Sequence, residues 1–193
     1  CDETFDLGKD DSKKLVDSVG YGNVYLRHLL RLNNILSERN VRIMLWGDVL
    51  LKYPEIISGL PRDALICTWN YDSLASFGGF IKPFAESKNE FFVSPGVVNS
   101  NRLFPDYKTV IQNISHFTSE GFESNASGVL LTVWDDGGSA LFENDWYGVT
   151  FSAERSWNPD SENFDARYDR VIMGCGKNGI SGIIGKLNSL ANL

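Results

Sequence analysis

Val129-Leu130-Leu131-Thr132-Val133-Trp134 runs directly into Asp135-Asp136-Gly137. The first six residues are almost continuously apolar and lack helical spacing, so they read as a strand buried on both faces. Working outward, three further segments have the same character: Val41-Arg42-Ile43-Met44-Leu45-Trp46, Leu65-Ile66-Cys67-Thr68-Trp69 and Phe91-Phe92-Val93-Ser94. Helical patterns lie between them. Val24, Leu26, Leu29, Leu30, Leu32, Ile35 and Leu36 recur at three- and four-residue steps and predict a helix of about sixteen residues. Val110, Ile111, Ile114 and Phe117 share one face of a second helix over 107–117. A weaker pattern covers 74–86, with Gly78-Gly79 in its middle and Pro83 near its end. Apolar strands alternating with helices are the pattern of a parallel α/β sheet, either doubly wound or a (β/α)8 barrel. Both architectures carry their chemistry at the carboxyl ends of the strands.

Composition narrows the partners. The chain has 193 residues, 18 basic against 25 acidic, and a formal charge of -7. No run of Lys or Arg opposes that charge, so neither nucleic acid nor an anionic membrane surface is an expected partner. The longest apolar run falls short of the roughly 20 residues of a membrane span. Two histidines and three scattered cysteines, Cys1, Cys67 and Cys175, have no zinc-site spacing, and no metal is expected. An odd, unpatterned cysteine count argues against a disulfide scaffold but leaves a single bridge open. Cys1 invites a lipid-anchor reading. With no leader ahead of it, a chain boundary is the expected explanation, and no signal peptide is expected. Two glycosylation triplets, Asn113-Ile114-Ser115 and Asn125-Ala126-Ser127, matter only for a secreted chain. The compartment stays open.

The strand ends are chemically distinctive. They read Trp46-Gly47-Asp48, Trp69-Asn70-Tyr71-Asp72, Pro95-Gly96-Val97-Val98-Asn99 and Trp134-Asp135-Asp136. One strand-end tryptophan is usually core packing; three in the same position of successive units are harder to assign to packing alone. Indole faces stack on the C–H faces of a sugar ring, and carboxylates and amides bind its hydroxyls. The expected site is therefore a carbohydrate site. At the amino end, Asp2-Glu3 places adjacent carboxylates where the end of a preceding strand belongs; on an extended backbone they would face different sides. Taken alone, the pair reads first as a solvated, acidic terminus.

Together these segments resemble the β-N-acetylhexosaminidases of glycoside hydrolase family 20. Asp2-Glu3 resembles that family's Asp-Glu pair at the end of barrel strand four. Ile43-Met44-Leu45-Trp46-Gly47-Asp48 is similar to strand five, Ile66-Cys67-Thr68-Trp69 to strand six, Val93-Ser94-Pro95 to strand seven, and Leu131-Thr132-Val133-Trp134-Asp135-Asp136 to strand eight. Ala153-Glu154-Arg155-Ser156-Trp157 resembles the following helix. The resemblance covers roughly residues 1–157.

That likeness implies an α/β fold: the carboxyl half, strands five to eight, of a (β/α)8 TIM barrel over 1–157, with a helical carboxyl extension over 158–193. A complete barrel takes about 250 residues, so the amino-terminal half of the barrel is an expected partner, and the chain alone is expected to be inactive. The implied activity is retaining exo-hydrolysis of terminal β-linked GlcNAc or GalNAc from glycans, without cofactor. Glu3 would be the general acid and then the base, and Asp2 would hold the substrate's acetamido N–H. The acetamido oxygen would attack the anomeric carbon through an oxazolinium intermediate. Trp46, Trp69 and Trp134 would wall the pocket, with Asp48, Tyr71, Asn99 and Asp136 as further substrate contacts. Asp136 stands where the family has a longer Glu. Val97 and Asn99 stand two and four residues after Pro95, where it commonly has Tyr and Asp; Tyr71 is the expected alternative partner of the acetamido oxygen.

Other readings remain. The same barrel could bind sugar without cleaving it, or the chain could serve only as an interaction module. Gly174-Cys175-Gly176-Lys177-Asn178-Gly179 spells GxGxxG after Val171-Ile172-Met173, a remote dinucleotide reading. That reading lacks the acidic residue about 20 positions on, and the alternative is a glycine-rich helix–helix connection, since Phe164, Tyr168, Val171 and Ile172 fit a helix as well as a strand.

Overall fold

A computed structural model describes residues 3–176 and 179–190 as a mixed α/β chain with parallel strand pairs. The chain divides into two compact units. The first holds the described chain up to Trp69 together with Gly78–Val93 and Gly121–Gly128. The second holds Asn70–Phe77, Ser94–Glu120 and the described chain from Val129 onward.

The first unit begins with α1 (Asp10–Val19) and α2 (Tyr21–Ser37). Gly20 separates them at φ 83°, a conformation that only glycine adopts without strain. The leucine spacing predicted α2 because its inner face buries Tyr25 and Leu29. There follow β1 (Met44–Trp46), α3 (Asp48–Lys52), a 3-10 turn (Pro54–Gly59), β2 (Leu65–Trp69), α4 (Gly78–Ala85) and β3 (Glu90–Ser94). Strands β1 and β2 are parallel, with Met44 opposite Leu65, Leu45 opposite Ile66 and Trp46 opposite Cys67. The first four residues of β2 are buried and only Trp69 is partly open, which explains its unbroken apolar run. Leu50, Ile66 and Phe84 are fully buried. Each such side chain contributes about 1.5–3 kcal/mol of transfer free energy.

The second unit contains β4 (Gly96–Val98), most of α5 (Tyr107–Glu123), β6 (Thr132–Trp134), α6 (Trp146–Trp157), α7 (Phe164–Arg167), a π-helical turn (Tyr168–Ile172) and α8 (Ile180–Leu190). Strands β4 and β6 are parallel, with Val97 opposite Val133 and Val98 opposite Trp134. Tyr147 centres the core, making edge contacts with Tyr107, Phe164 and Tyr168 at centroid distances of 4.9, 5.1 and 5.0 Å. Phe164, Tyr168 and Ile184, all beyond residue 158, pack into the same cluster as Val97 and Val110.

Several expectations change. The segment 129–134 is two strands: β5 (Gly128–Val129) joins the four-stranded sheet in the order β1-β2-β3-β5, and β6 pairs with β4. Leu130 and Leu131 interrupt it, and on the partner side Pro95 stands between β3 and β4. Proline has no N–H to carry a ladder through, although its carbonyl still accepts from Thr132 N–H at 3.0 Å. The weak helix over 74–86 shrinks to α4, starting at Gly78-Gly79. Of the two readings open for the segment around Val171-Ile172-Met173, helix and strand, the structure takes the helical one: the first two residues end the π turn and all three are exposed. Cys67 and Cys175 are both free thiols, and burial pushes the Cys67 thiol up to about 11. No helix among the described residues is long and apolar enough to cross a membrane.

Candidate functional site

In the first unit the carboxyl ends of β1 and β2 open onto a cavity of about 440 Å³ that Glu3, Asp48, Lys52, Tyr53 and Trp69 line. Asp48 is the first residue of α3, immediately beyond β1. Its Oδ2 accepts the Glu3 backbone N–H at 3.1 Å, while its Oδ1 is buried with no hydrogen-bond partner among the described residues. A buried, unsatisfied carboxylate oxygen is costly in an unliganded pocket and is met when a ligand brings a donor. Glu3 is exposed and its backbone is left-handed, at φ 43°. The extended strand end expected there is thus a tight turn, closed by Phe5 N–H on Glu3 C=O at 2.7 Å. Backbone strain of this kind persists where surroundings hold it, here through Asp48. Asp2 lies outside the described residues.

Aromatic faces surround these carboxylates. Tyr21 and Tyr53 stack at 4.8 Å, and the Lys52 ammonium stands 5.7 and 5.6 Å from their centroids. Thr4 hydrogen-bonds the Tyr21 hydroxyl and so ties the amino-terminal turn to α2. Trp46 does not join this wall. It lines a separate apolar cavity with Leu29, Leu32 and Leu36 of α2. The register is the reason: Trp46 lies level with Cys67, two residues short of Trp69, or about 6.6 Å along the strand.

In the second unit Trp134 Nε1–H donates to the Tyr71 hydroxyl at 2.8 Å, joining two expected site residues. Ser100 Oγ bridges the Trp134 carbonyl at 2.6 Å and Asp136 Oδ2 at 3.0 Å. Asn99 is 1% exposed, and its Nδ2 donates to both oxygens of Asp145 at 3.0 and 3.1 Å. Asn99, an expected substrate contact, thus has its amide nitrogen committed to a buried carboxylate, while its Oδ1 is buried with no hydrogen-bond partner among the described residues.

Burial raises the Asp145 pKa above the usual carboxylate range, hydrogen bonds from Asn99 lower it in part, and the Asp135 charge raises it. The folded state therefore binds this proton more tightly than the unfolded chain. The associated stability is present below the ordinary carboxylate pKa and is lost as pH rises through the raised folded value. Relative to Asp145→Asn, the wild type is expected to gain stability as pH falls from 7 towards 4. Urea midpoints at both ends check this, and parallel midpoints for the two proteins would remove the claim.

The Tyr71 ring rests on Gly96. A Cβ there would lie 2.6 Å from Tyr71 Cδ1 and 3.2 Å from Thr132 Oγ1. Gly96→Ala is expected to unseat the ring at a cost of about 1–3 kcal/mol. Thermal unfolding together with a changed Trp134 emission would report it; an unchanged spectrum and melting temperature would show that the ring accommodates the methyl.

Helix α5 holds the loop that bears Tyr71. Asn113 is fully buried; its Nδ2 donates to the carbonyls of Asn70 and Asp72 at 2.8 and 2.9 Å, and its Oδ1 accepts Gly96 N–H at 3.0 Å. Glu120 accepts the Phe77 N–H and the Ser76 hydroxyl, Ser73 hydrogen-bonds Gln112, and Phe117 stacks on Phe77 at 4.4 Å. Asn113 is thus a structural clamp, and burial closes its triplet to glycosylation. Sequence reasoning missed Asn113, Ser100 and Asp145. Their side chains act on partners 17 to 46 positions away, and no local spacing signals that.

The GxGxxG segment has no strand ahead of it. The α8 amino terminus, where a pyrophosphate would sit, already holds the Asp169 carboxylate through Ser181 N–H at 2.8 Å and the Ser181 hydroxyl at 2.6 Å. Lys177 and Asn178 lie outside the described residues. In comparisons with known proteins, no protein-family model and no curated protein matches the chain.

Proposed function

We propose that the chain is the carboxyl half of a retaining exo-β-N-acetylhexosaminidase barrel, acting on terminal β-linked GlcNAc or GalNAc. The observation that carries this reading is the cavity shared by Glu3, Asp48 and Trp69, where two carboxylates meet aromatic faces at parallel strand ends. In the second unit, the hydrogen-bonded Tyr71–Trp134 pair is a separate aromatic surface with polar edges, a kind that suits a sugar. Asp48 Oδ1, buried and without a partner among the described residues, is an acceptor suited to a sugar hydroxyl.

In this reading Glu3 donates its proton to the glycosidic oxygen as the bond from C1 to that oxygen breaks. The substrate's acetamido oxygen attacks C1 and forms the oxazolinium ion, while Asp2 accepts the acetamido N–H. Glu3, now a carboxylate, takes a proton from the water that attacks C1 as the bond from C1 to the acetamido oxygen breaks and the acetamido group is restored. Two inversions at C1 return the β configuration, so no enzymic nucleophile is needed. The residues call for no metal or organic cofactor.

The test is hydrolysis of a chromogenic β-GlcNAc glycoside by the completed barrel, with the product anomer followed by NMR. Release of β-GlcNAc supports the reading. An inverted product would exclude the substrate-assisted mechanism, and an inactive barrel that still binds GlcNAc would make this a sugar-binding relative.

A further inference from the structure

The cavity at the amino end of β2 is independent of the site just described. Asn89 marks that end: its Nδ2 donates to the carbonyls of Pro61 and Ala64 at 2.7 and 3.2 Å, just ahead of Leu65. Trp69 closes the opposite end of the strand, about 13 Å away at 3.3 Å per residue. The cavity measures about 780 Å³ and lies between the Pro54–Gly59 turn and α4. That volume falls in the range of small-molecule clefts.

Its lining has two characters. Ile57, Leu60 and Pro83 give an apolar floor, whereas Arg62, Lys82 and Lys88 stand at the rim. Glu86 is the single carboxylate among the lining residues, and Lys82 lies 3.7 Å from it. Arg62 and Lys88 have no ion-pair partner among the described residues. A local cationic surplus on a chain of net charge -7 is not a by-product of overall composition. Room remains at the α4 side, since a Cβ on Gly79 would meet nothing within 4 Å. On the other side the hydrogen bonds from Asn89 fix the wall.

We propose that this cavity binds an amphiphilic organic anion, its apolar body on Ile57, Leu60 and Pro83 and its phosphate or carboxylate head between Arg62 and Lys88. A guanidinium and an ammonium together favour an anionic head group, and both side chains act from the rim, where they keep most of their hydration until a ligand arrives. Three cations are too few for a nucleic-acid track, and the apolar floor would serve no purpose for inorganic phosphate alone.

Calorimetric titration with 2-naphthyl phosphate beside the neutral 2-naphthol tests this. The expected result is saturable one-to-one binding, with the phosphate at least about tenfold tighter, which is about 1.4 kcal/mol. The exposed pair Arg62→Gln with Lys88→Gln should erase that preference while leaving the melting temperature unchanged. Gly79→Leu, which fills the open space, should weaken both ligands. Raising salt should weaken the phosphate alone. Equal affinity for the two ligands, absence of saturable binding, or indifference to Gly79→Leu would overturn the proposal. So would displacement by N-acetylglucosamine, which would move the site to the Trp69 end of β2; failure of the hexosaminidase reading would leave these titrations unaffected.

Discussion

Glu3→Gln is expected to lower kcat of the completed barrel on a chromogenic β-GlcNAc glycoside by about a hundredfold or more, in line with general acid–base contributions. That loss corresponds to about 2.7 kcal/mol of transition-state stabilisation. Glutamine keeps the size of the side chain and leaves the backbone N–H that binds Asp48, so the turn at residue 3 survives. What it removes is the proton for the leaving oxygen and the base for water. The deficit should therefore grow with the basicity of the leaving group: larger for a sugar alcohol than for a nitrophenolate, which departs with little protonation. A mutant as active as the wild type would reduce Glu3 to an acidic terminal residue and remove the proposed site. An equal loss on both leaving groups would assign Glu3 to the water-activating half of the cycle alone.

Asn113→Ala should unfold the second unit's Tyr71 loop and cost about 3 kcal/mol, roughly 1 kcal/mol for each of three hydrogen bonds whose partners stay behind unsatisfied. Against a total stability of about 5–15 kcal/mol that is a large fraction. Asn113→Asp separates the contributions. It retains an acceptor for the Gly96 N–H but sets a carboxylate against the carbonyls of Asn70 and Asp72, so it should be no better than alanine. Denaturant midpoints measure the stability, and GlcNAc affinity followed by tryptophan fluorescence measures the effect on Tyr71 and Trp134. Wild-type midpoints for both variants would show that the loop holds without the clamp.

Two of the four strand segments, 65–69 and 91–94, were legible to within one residue, whereas the reading over 41–46 starts three residues ahead of β1. Leu65–Trp69 is recognisable because burial on both faces demands an apolar residue at nearly every position, whatever the partner strand. The break inside 129–134 was not legible. Its six residues are uniformly apolar, and the interruption shows only once Pro95 and Thr132 are side by side. The strand-end tryptophans illustrate the same limit. Their positions after apolar runs were visible, yet register sets Trp46 against α2 and hydrogen bonding sets Trp134 against Tyr71.

By itself the sequence determined the alternation of apolar strands and amphipathic helices, and with it a mixed α/β chain with parallel strands. Hydrophobic patterning acts between near neighbours and needs no knowledge of the rest of the fold. Tertiary structure alone decided which polar groups meet. It buried Asn99 on Asp145, made a clamp of Asn113, left Asp48 Oδ1 without a partner among the described residues, and gathered Arg62, Lys82 and Lys88 around one cavity. Hydrogen bonds and charge pairs form between residues tens of positions apart, and a buried polar group must find its partner wherever the fold delivers it.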